Sequence, residues 1–387
     1  MNLTKLIQIA SKKEKVILGL MSGTSIDGLD MALCRISGSG KETRFKLIHF
    51  TTDFYPQEIR NKLLEITSVK QIDTEELCIW HTYLAHIHAS MISKACLEWN
   101  FDLSDIDLIA SHGHTIYHAP QRKHKQQGKP NTTLQIGDGD HIAYKTGIIT
   151  VSDFRQKDTA RGGEGAPLAA YGDYLLFSHP QRDRILINLG GIANFTYLPA
   201  NSVEYPPLSM DTGPASTLID AAMRNWFNGT AYDDGGRIAK RGAVQQDVLR
   251  QLKNHPYFSQ RYPKTTGPEM FSLSLLHDAL KSTGNMDMKP EDIIATLTRL
   301  TSETLAEAIL KEIKDLKHTE VFVSGGGTEN TTMVEWMSDN MKGIPIKTTN
   351  ELGLDSGAKE AALFAVLANE AITGDGELPT VGKISLP

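Results

Sequence analysis

The chain has 387 residues, of which 40% are hydrophobic, 22% charged and 7% aromatic, a balance that excludes disordered, collagenous and coiled-coil architectures. At roughly 100–200 residues per domain, this length predicts two or three domains, with a cleft between two of them as the natural place for a site. The 40 basic and 46 acidic residues leave a net charge of -6, which argues against a nucleic-acid or membrane partner and favours a small-molecule ligand.

Three cysteines, Cys34, Cys78 and Cys96, form no CxxC pair. Their odd number argues against a disulfide framework or a thiolate zinc site and points to reducing cytosol. The opening MNLTKLIQIASKKEK has an apolar core, Leu6 to Ala10, too short for a signal peptide, and no run approaches the ~18–20 apolar residues of a membrane span. A soluble, cytoplasmic protein is expected, with residues 2–14 forming a short amphipathic helix.

Residues 15–36, KVILGLMSGTSIDGLDMALCRI, read as two strand-like runs flanking the turn Ser22 to Gly28, too close together for a crossover helix and therefore a hairpin. Helical spacing follows at 57–67 and 74–99. DLIASHGHTI (107–116) and GIITVSDF (147–154) read as buried strands, and the basic stretch 121–129 between them as a solvated hairpin tip. RILINLGGIANFTYL (184–198) repeats the strand, glycine turn, strand pattern, which predicts an internal duplication of a hairpin core. The Pro-rich segment 199–207 is a loop, 292–316 is helical, and EVFVSGGGTENTTMVEWM (320–337) is a buried strand running into Gly325-Gly326-Gly327, with a helix opening at Thr328 or Asn330. Strands alternating with helices give an α/β protein, and the antiparallel hairpins make its sheets mixed.

Glycines at a strand-to-turn junction let backbone N–H groups approach an anion, and hydroxyls add donors. The turn Gly23-Thr24-Ser25-Ile26-Asp27-Gly28 has both, with Asp27 placed to face a phosphate-bound Mg²⁺ directly or through water; taken alone it is equally well a plain hairpin turn. Neither GxxxxGK[ST] nor a strand-to-helix GxGxxG is present. Alternation places His112 and His114 on one face of a strand, but no third ligand at diagnostic spacing accompanies them. Asp211, just past an extended stretch and followed by Thr-Gly-Pro and a helix from Ser216, would sit at the mouth of a cleft, or else cap a helix. By residue type alone, Glu360 is a solvated first-turn glutamate.

LGLMSGTSIDGLDMAL, ASHGHTIYH, LQIGDG, VSDFRQKDTARGGEGAPLAA, INLGGIANFTYL, MDTGPAS, DGG, KTTGPEMF and SGGGTEN occur in order over roughly 15 to 370. With two glycine hairpins and a later glycine loop, the chain resembles the actin-like sugar-kinase and heat-shock ATPase superfamily, and within it the anhydro-N-acetylmuramic acid kinase family. The resemblance implies a two-domain fold with a duplicated mixed sheet and a ligand cleft between domains, the first domain spanning 1–180 and completed by a C-terminal helix at about 361–387, the second spanning 181–360. It implies an ATP- and Mg²⁺-dependent kinase of peptidoglycan recycling that opens a 1,6-anhydro sugar with water and phosphorylates the freed 6-oxygen. Asp211 matches the general base. Gly23, Thr24, Ser25, Ile26, Asp27, Gly28, Leu29, Asp30, Gly190, Gly191, Asn194, Gly325, Gly326 and Gly327 match the ATP-binding positions; Thr115, Lys157, Asp158, Gly165 and Glu360 match sugar contacts. The implied partners are ATP and a small sugar, and nothing in the sequence decides whether the chain forms a homodimer.

The chain departs from the family pattern at His114 and Glu164, where glutamines are usual, and at Lys157 and Pro268, where arginines are usual. These departures lie on the sugar side and leave open a related kinase for another sugar or sugar acid. A nucleotide-switched protein without catalysis is a third reading, opposed by the retained Asp211.

Overall fold

A computed structural model describes residues 2–23, 26–165, 168–200, 207–228, 230–261, 263–267, 270–314, 316–354, 357–374 and 382–387. Thr24, Ser25, Pro268 and most of the 199–207 loop therefore lie outside the described residues. The chain forms two compact units, Met1–Leu176 with Gly353–Pro387, and Phe177–Leu352.

In the first unit, β1 (Glu14–Ser22) and β2 (Gly28–Ser37) pair antiparallel, with Leu18 opposite Leu33 and Leu20 opposite Met31, and β3 (Arg44–Phe54) extends the meander. β4 (Leu108–Ala119) lies parallel to β1 on its other side, β5 (Thr132–Ile136) pairs with the end of β4, and β6 (Thr150–Ser152) runs parallel beside it, followed by the short strand Lys383–Ser385. Leu18, Leu20, Leu29, Met31 and Leu33 join Leu84 and Ile92 of the helix Thr74–Glu98 in one core. That helix opens on Asp73, whose carboxylate accepts the Glu76 N–H at 3.1 Å. Gly19 faces the other way: a Cβ there would run into the Ala361 carbonyl, so only glycine lets the helix Lys359–Thr373 lie this close to β1. The sheet is thus sandwiched between two helices.

In the second unit, β7 (Asp183–Leu189), β8 (Ile192–Leu198) and β9 (Leu208–Pro214) form an antiparallel meander, while β10 (Thr319–Ser324) is parallel to β7 and β11 (Ile346–Thr348) to β10. The orders β3-β2-β1-β4-β6 and β9-β8-β7-β10-β11 are the same arrangement, three antiparallel strands and then two parallel ones, built twice. This is the duplicated mixed sheet of the actin-like ATPase and sugar-kinase fold. Its second core is filled by the helix Pro290–Glu312, which buries residues along most of its length.

The 57–67 and 292–316 patterns appear as Gln57–Ile66 and Pro290–Glu312. The strand expected over 147–154 is shorter, because Gly147, in the left-handed conformation at φ 71, caps the helix Gly139–Thr146, and a new helix starts at Phe154. Among the described residues, no helix is long and apolar enough to cross a membrane.

Candidate active site

The β1–β2 turn is closed by the Ile26 N–H donating to the Gly23 carbonyl at 3.1 Å, and the Asp27 carbonyl accepts the Tyr55 N–H at 3.0 Å. Ile26, at φ 56, and Leu29 are both buried, so only their backbones can meet a ligand. Gly28 is pressed against the Asp53 backbone, which a Cβ would strike; its role in the strand is close packing. The two carboxylates of the turn differ. Asp27 is exposed, 3.5 Å from Arg60. Asp30 is half-buried and accepts the Thr52 hydroxyl at 2.5 Å. Burial holds its carboxyl above the usual range, Thr52 pulls it down, and the nearby Asp27 charge raises it further.

Arg155 gathers a second group of site residues in the same unit. Its Nε donates to His112 Nε2 at 2.7 Å and its Nη1 to the Gly165 carbonyl at 2.7 Å, while Asp158 accepts the Gly165 N–H at 2.8 Å. Since Arg155 is a donor only, His112 Nε2 accepts and its Nδ1–H donates to the Gly113 carbonyl at 2.9 Å, which fixes the tautomer. Burial, reinforced by the Arg155 charge, pushes the His112 imidazole down to about 3. Glu360, in the first turn of the helix Lys359–Thr373, is open to solvent. Its carboxyl is nonetheless held up by desolvation, then pulled down by Arg155 and Lys359, with Asp30 and Asp173 adding to the rise. Glu360 thus lies within reach of the charges of both Asp30 and Arg155, and Arg155 within reach of that of Asp158, joining the glycine hairpin to the sugar-side motif. Thr115 accepts from Gln135 Nε2 at 3.2 Å. Lys157 is exposed on the helix Phe154–Ala160, two residues from Arg155 and so on another face. Glu164 accepts Arg122 Nε through both oxygens at 3.1 Å, tying the mostly exposed 121–129 tip to this loop.

The expectation that His112 and His114 share a face is corrected. Gly113, at φ 74, is a break in the alternation of β4, and it turns the two rings to opposite sides of the sheet. His112 packs on Phe364, whereas His114 bonds Ser22 Oγ through Nδ1 and Thr67 Oγ1 through Nε2, both at 3.0 Å. From Ser22 the chain continues through Tyr55, whose hydroxyl donates to Ser22 at 2.9 Å and lies 2.8 Å from His88 Nε2. Both nitrogens of His112 and of His114 are engaged by these bonds.

In the second unit the carbonyls of Gly190 and Gly191 accept N–H groups of Ser216 (3.1 Å) and Ala215 (2.9 Å), which docks the β7–β8 turn on the start of the helix Ser216–Trp226. Asp211 lies within β9 rather than past it, because the strand runs on to Pro214, and its cross-strand partner is Asn194, beside a bulge in β8. The Asp211 N–H donates to the Lys264 carbonyl (3.0 Å), its carbonyl accepts the Tyr257 hydroxyl (2.7 Å), and its Oδ2 accepts the Thr266 N–H (2.8 Å).

Gly325, at φ 90, sits against the Leu189 carbonyl, where a Cβ would approach to 2.7 Å. Gly326 and Gly327 line a cavity of about 330 Å³ with Ser216, Asp220, Tyr232 and Met333. The start of the helix Thr331–Asn340 is capped by Asn330, whose Oδ1 accepts the Met333 N–H at 2.9 Å. Asp220, at the cavity wall, is raised by burial against a hydrogen bond from Ser216. The volume is within the range of small-molecule sites.

Residues 15–383 match the family model for anhydro-N-acetylmuramic acid kinase. This chain belongs to that family. A relative named anhydro-N-acetylmuramic acid kinase from Pseudoalteromonas atlantica is 42% identical over 398 residues, covering 100% of this chain and 99% of its own. Relatives of the same name from Caldanaerobacter subterraneus subsp. tengcongensis (36% over 394 residues; 99% and 100% covered) and Bacillus cereus strain ZK / E33L (36% over 385 residues; 96% and 99% covered) are similar along their whole length. A member of the anhydro-N-acetylmuramic acid kinase family has two small molecules to hold, ATP and a sugar. Sequence reasoning passed over Arg155, although its i, i+3 spacing to Asp158 on one helix was a usable signal. It also passed over Asp220 and Tyr232, which meet Gly326 only through the fold.

Proposed function

We propose that this kinase opens 1,6-anhydro-N-acetylmuramic acid with water and transfers the γ-phosphoryl group of ATP to the freed 6-oxygen, giving N-acetylmuramic acid 6-phosphate and ADP in cell-wall recycling. Water attacks the anomeric carbon, the bond from C1 to the bridging oxygen breaks, and the water's proton passes to the Asp211 carboxylate. The observation that carries this reading is the Thr266 N–H on Asp211 Oδ2, a main-chain contact that orients a carboxylate without competing for its proton. Thr115, Asp158, Gly165, Glu360 and the exposed Lys157 contact the sugar, and Arg155 orients this group. ATP lies along the glycine hairpins with its adenosine in the Gly326–Gly327 cavity.

The like-charged Asp27 and Asp30 at the hairpin fit a divalent cation, which would relieve their repulsion. Mg²⁺ held there, directly or through water, would neutralise charge on the phosphates. Two of the four departures from the family pattern, His114 and Glu164, have partners within the protein, which supports the family's substrate. His114 has one donor and one acceptor nitrogen, as a glutamine amide would offer, and Glu164 is engaged by Arg122. Nothing in this reading requires a second copy of the chain.

Gly326→Val tests the nucleotide assignment. No heavy atom lies within 4 Å of a Cβ at Gly326, so the substitution leaves the protein's own packing intact while filling cavity space. ATP affinity measured by calorimetry is expected to fall at least about tenfold, about 1.4 kcal/mol, with an unchanged melting temperature. Parent-like affinity would remove adenosine from this cavity.

A further inference from the structure

Tyr55 lies outside the motifs that point to the reaction, yet it touches both feet of the β1–β2 glycine turn. The β2–β3 pairing sets Gly28 opposite Phe54, which brings the next residue, Tyr55, level with Asp27. Its N–H donates to the Asp27 carbonyl at 3.0 Å, and its hydroxyl donates to Ser22 Oγ at 2.9 Å. Ser22 is the last residue of β1 and Asp27 stands just before β2, so a single residue pins the two ends of the turn. That pin is itself fixed, since Tyr55 and Ser22 are 6% and 1% exposed. A hydroxyl has one proton, and that of Tyr55 goes to Ser22, so His88 Nε2, 2.8 Å away, donates to the Tyr55 oxygen. His88 is fully buried on the helix Thr74–Glu98, on the face it shares with Leu84 and Ile92, four residues to either side in the core. Burial holds the Tyr55 phenol up and brings the His88 imidazole down to about 3, so at neutral pH the phenol keeps its proton and the imidazole is neutral. His114 holds Ser22 from the other side, its Nδ1 3.0 Å from Ser22 Oγ and its Nε2 3.0 Å from Thr67 Oγ1. A buried chain of hydrogen-bonded side chains fixes the arrangement of the groups it joins, and this one ends at the foot of the turn.

We propose that Tyr55 is a positioning residue for the nucleotide: through Ser22 Oγ and the Asp27 carbonyl it holds the glycine turn in the geometry that receives the phosphates of ATP. The proposal rests on the reading that ATP lies along the glycine hairpins. Main-chain N–H donors bind an anion best when their directions are set before it arrives, because no ordering is then left to be done on binding. Removing the Tyr55 hydroxyl frees the β1 foot of the turn and leaves the other foot, the Tyr55 N–H on Asp27, in place.

The test is calorimetric titration of the full chain with a non-hydrolysable ATP analogue and, separately, with 1,6-anhydro-N-acetylmuramic acid. Tyr55→Phe, Ser22→Ala, the double variant and Gly23→Val accompany the parent. Tyr55→Phe and Ser22→Ala remove the same hydrogen bond from its two ends, so either one carries the test if the other fails to fold. Each is expected to weaken the ATP analogue about tenfold with the sugar's affinity unchanged, and the double variant to lose no more than Ser22→Ala alone. A merely structural bond would lower the melting temperature and leave the analogue's affinity at the parent's value. That result, single losses that multiply in the double variant, or an equal loss of sugar affinity would overturn the proposal. Gly23→Val separates the proposal from the reading beneath it. If the analogue binds Gly23→Val as tightly as the parent, the hairpin does not hold the phosphates and both fall; if Gly23→Val alone weakens it, the role of Tyr55 falls and the reading stands.

Discussion

Asp211→Asn is expected to lower turnover by ~10²–10⁴-fold, about 3–5 kcal/mol of barrier, while ATP and the sugar still bind. The substitution is nearly isosteric. The bonds from the Asp211 N–H to the Lys264 carbonyl and from the Tyr257 hydroxyl to the Asp211 carbonyl use the main chain and are untouched, and the bond from the Thr266 N–H to Oδ2 needs only an oxygen, which the amide retains. What is lost is the capacity to accept a proton. A purely structural aspartate would show the reverse pattern, a stability loss of about 1 kcal/mol with turnover near that of the parent. One melting curve and one rate measurement separate the two.

Stability is expected to fall steeply on mild acidification, because His88, His112 and His114 are buried and held neutral. Desolvation brings their imidazoles down to about 3, about 3 and about 4 from an ordinary 6.5, with Arg155 adding to the effect at His112. The sign follows from proton counting. Between pH 6.5 and 4 the unfolded chain binds three protons at these sites that the folded chain does not. The stability they contribute is therefore complete above pH 6.5 and lost as pH falls. Three protons correspond to a limiting slope of about 4 kcal/mol per pH unit near pH 5. Melting temperature measured from pH 7.5 to 5 should drop accordingly, and His114→Gln should remove about a third of the slope. A flat profile would show that these rings are not buried neutral.

The hairpins at 15–36 and 184–198 were legible because a glycine turn between two short apolar runs leaves no room for a crossover helix, and the structure finds both as antiparallel strand pairs. The long helices were legible from periodicity. The placement of His112 and His114 was not, since a single glycine at positive φ reverses the alternation that sequence spacing assumes, and Gly113 looks like any other glycine in the sequence. Gly28 shows the same limit: its motif reads as phosphate binding, while its missing Cβ is required by the Asp53 backbone of the neighbouring strand. The cavity beside Gly326 was beyond reach for another reason, because Ser216, Asp220, Tyr232 and Met333 come from separate segments that only tertiary packing unites.

In the proposed reaction Asp211 delivers water to the anomeric carbon while ATP phosphorylates the oxygen released. It is tested most directly by running the reaction with ATP and 1,6-anhydro-N-acetylmuramic acid in H₂¹⁸O. The reaction is quenched before the open-chain aldehyde exchanges its oxygen, and the product's isotope content is read by mass spectrometry. One solvent oxygen is expected on C1 of the 6-phosphorylated sugar and none on its phosphate; solvent oxygen in the phosphate, or release of ADP with no ring-opened product, would overturn the assignment of Asp211 as the base that activates water.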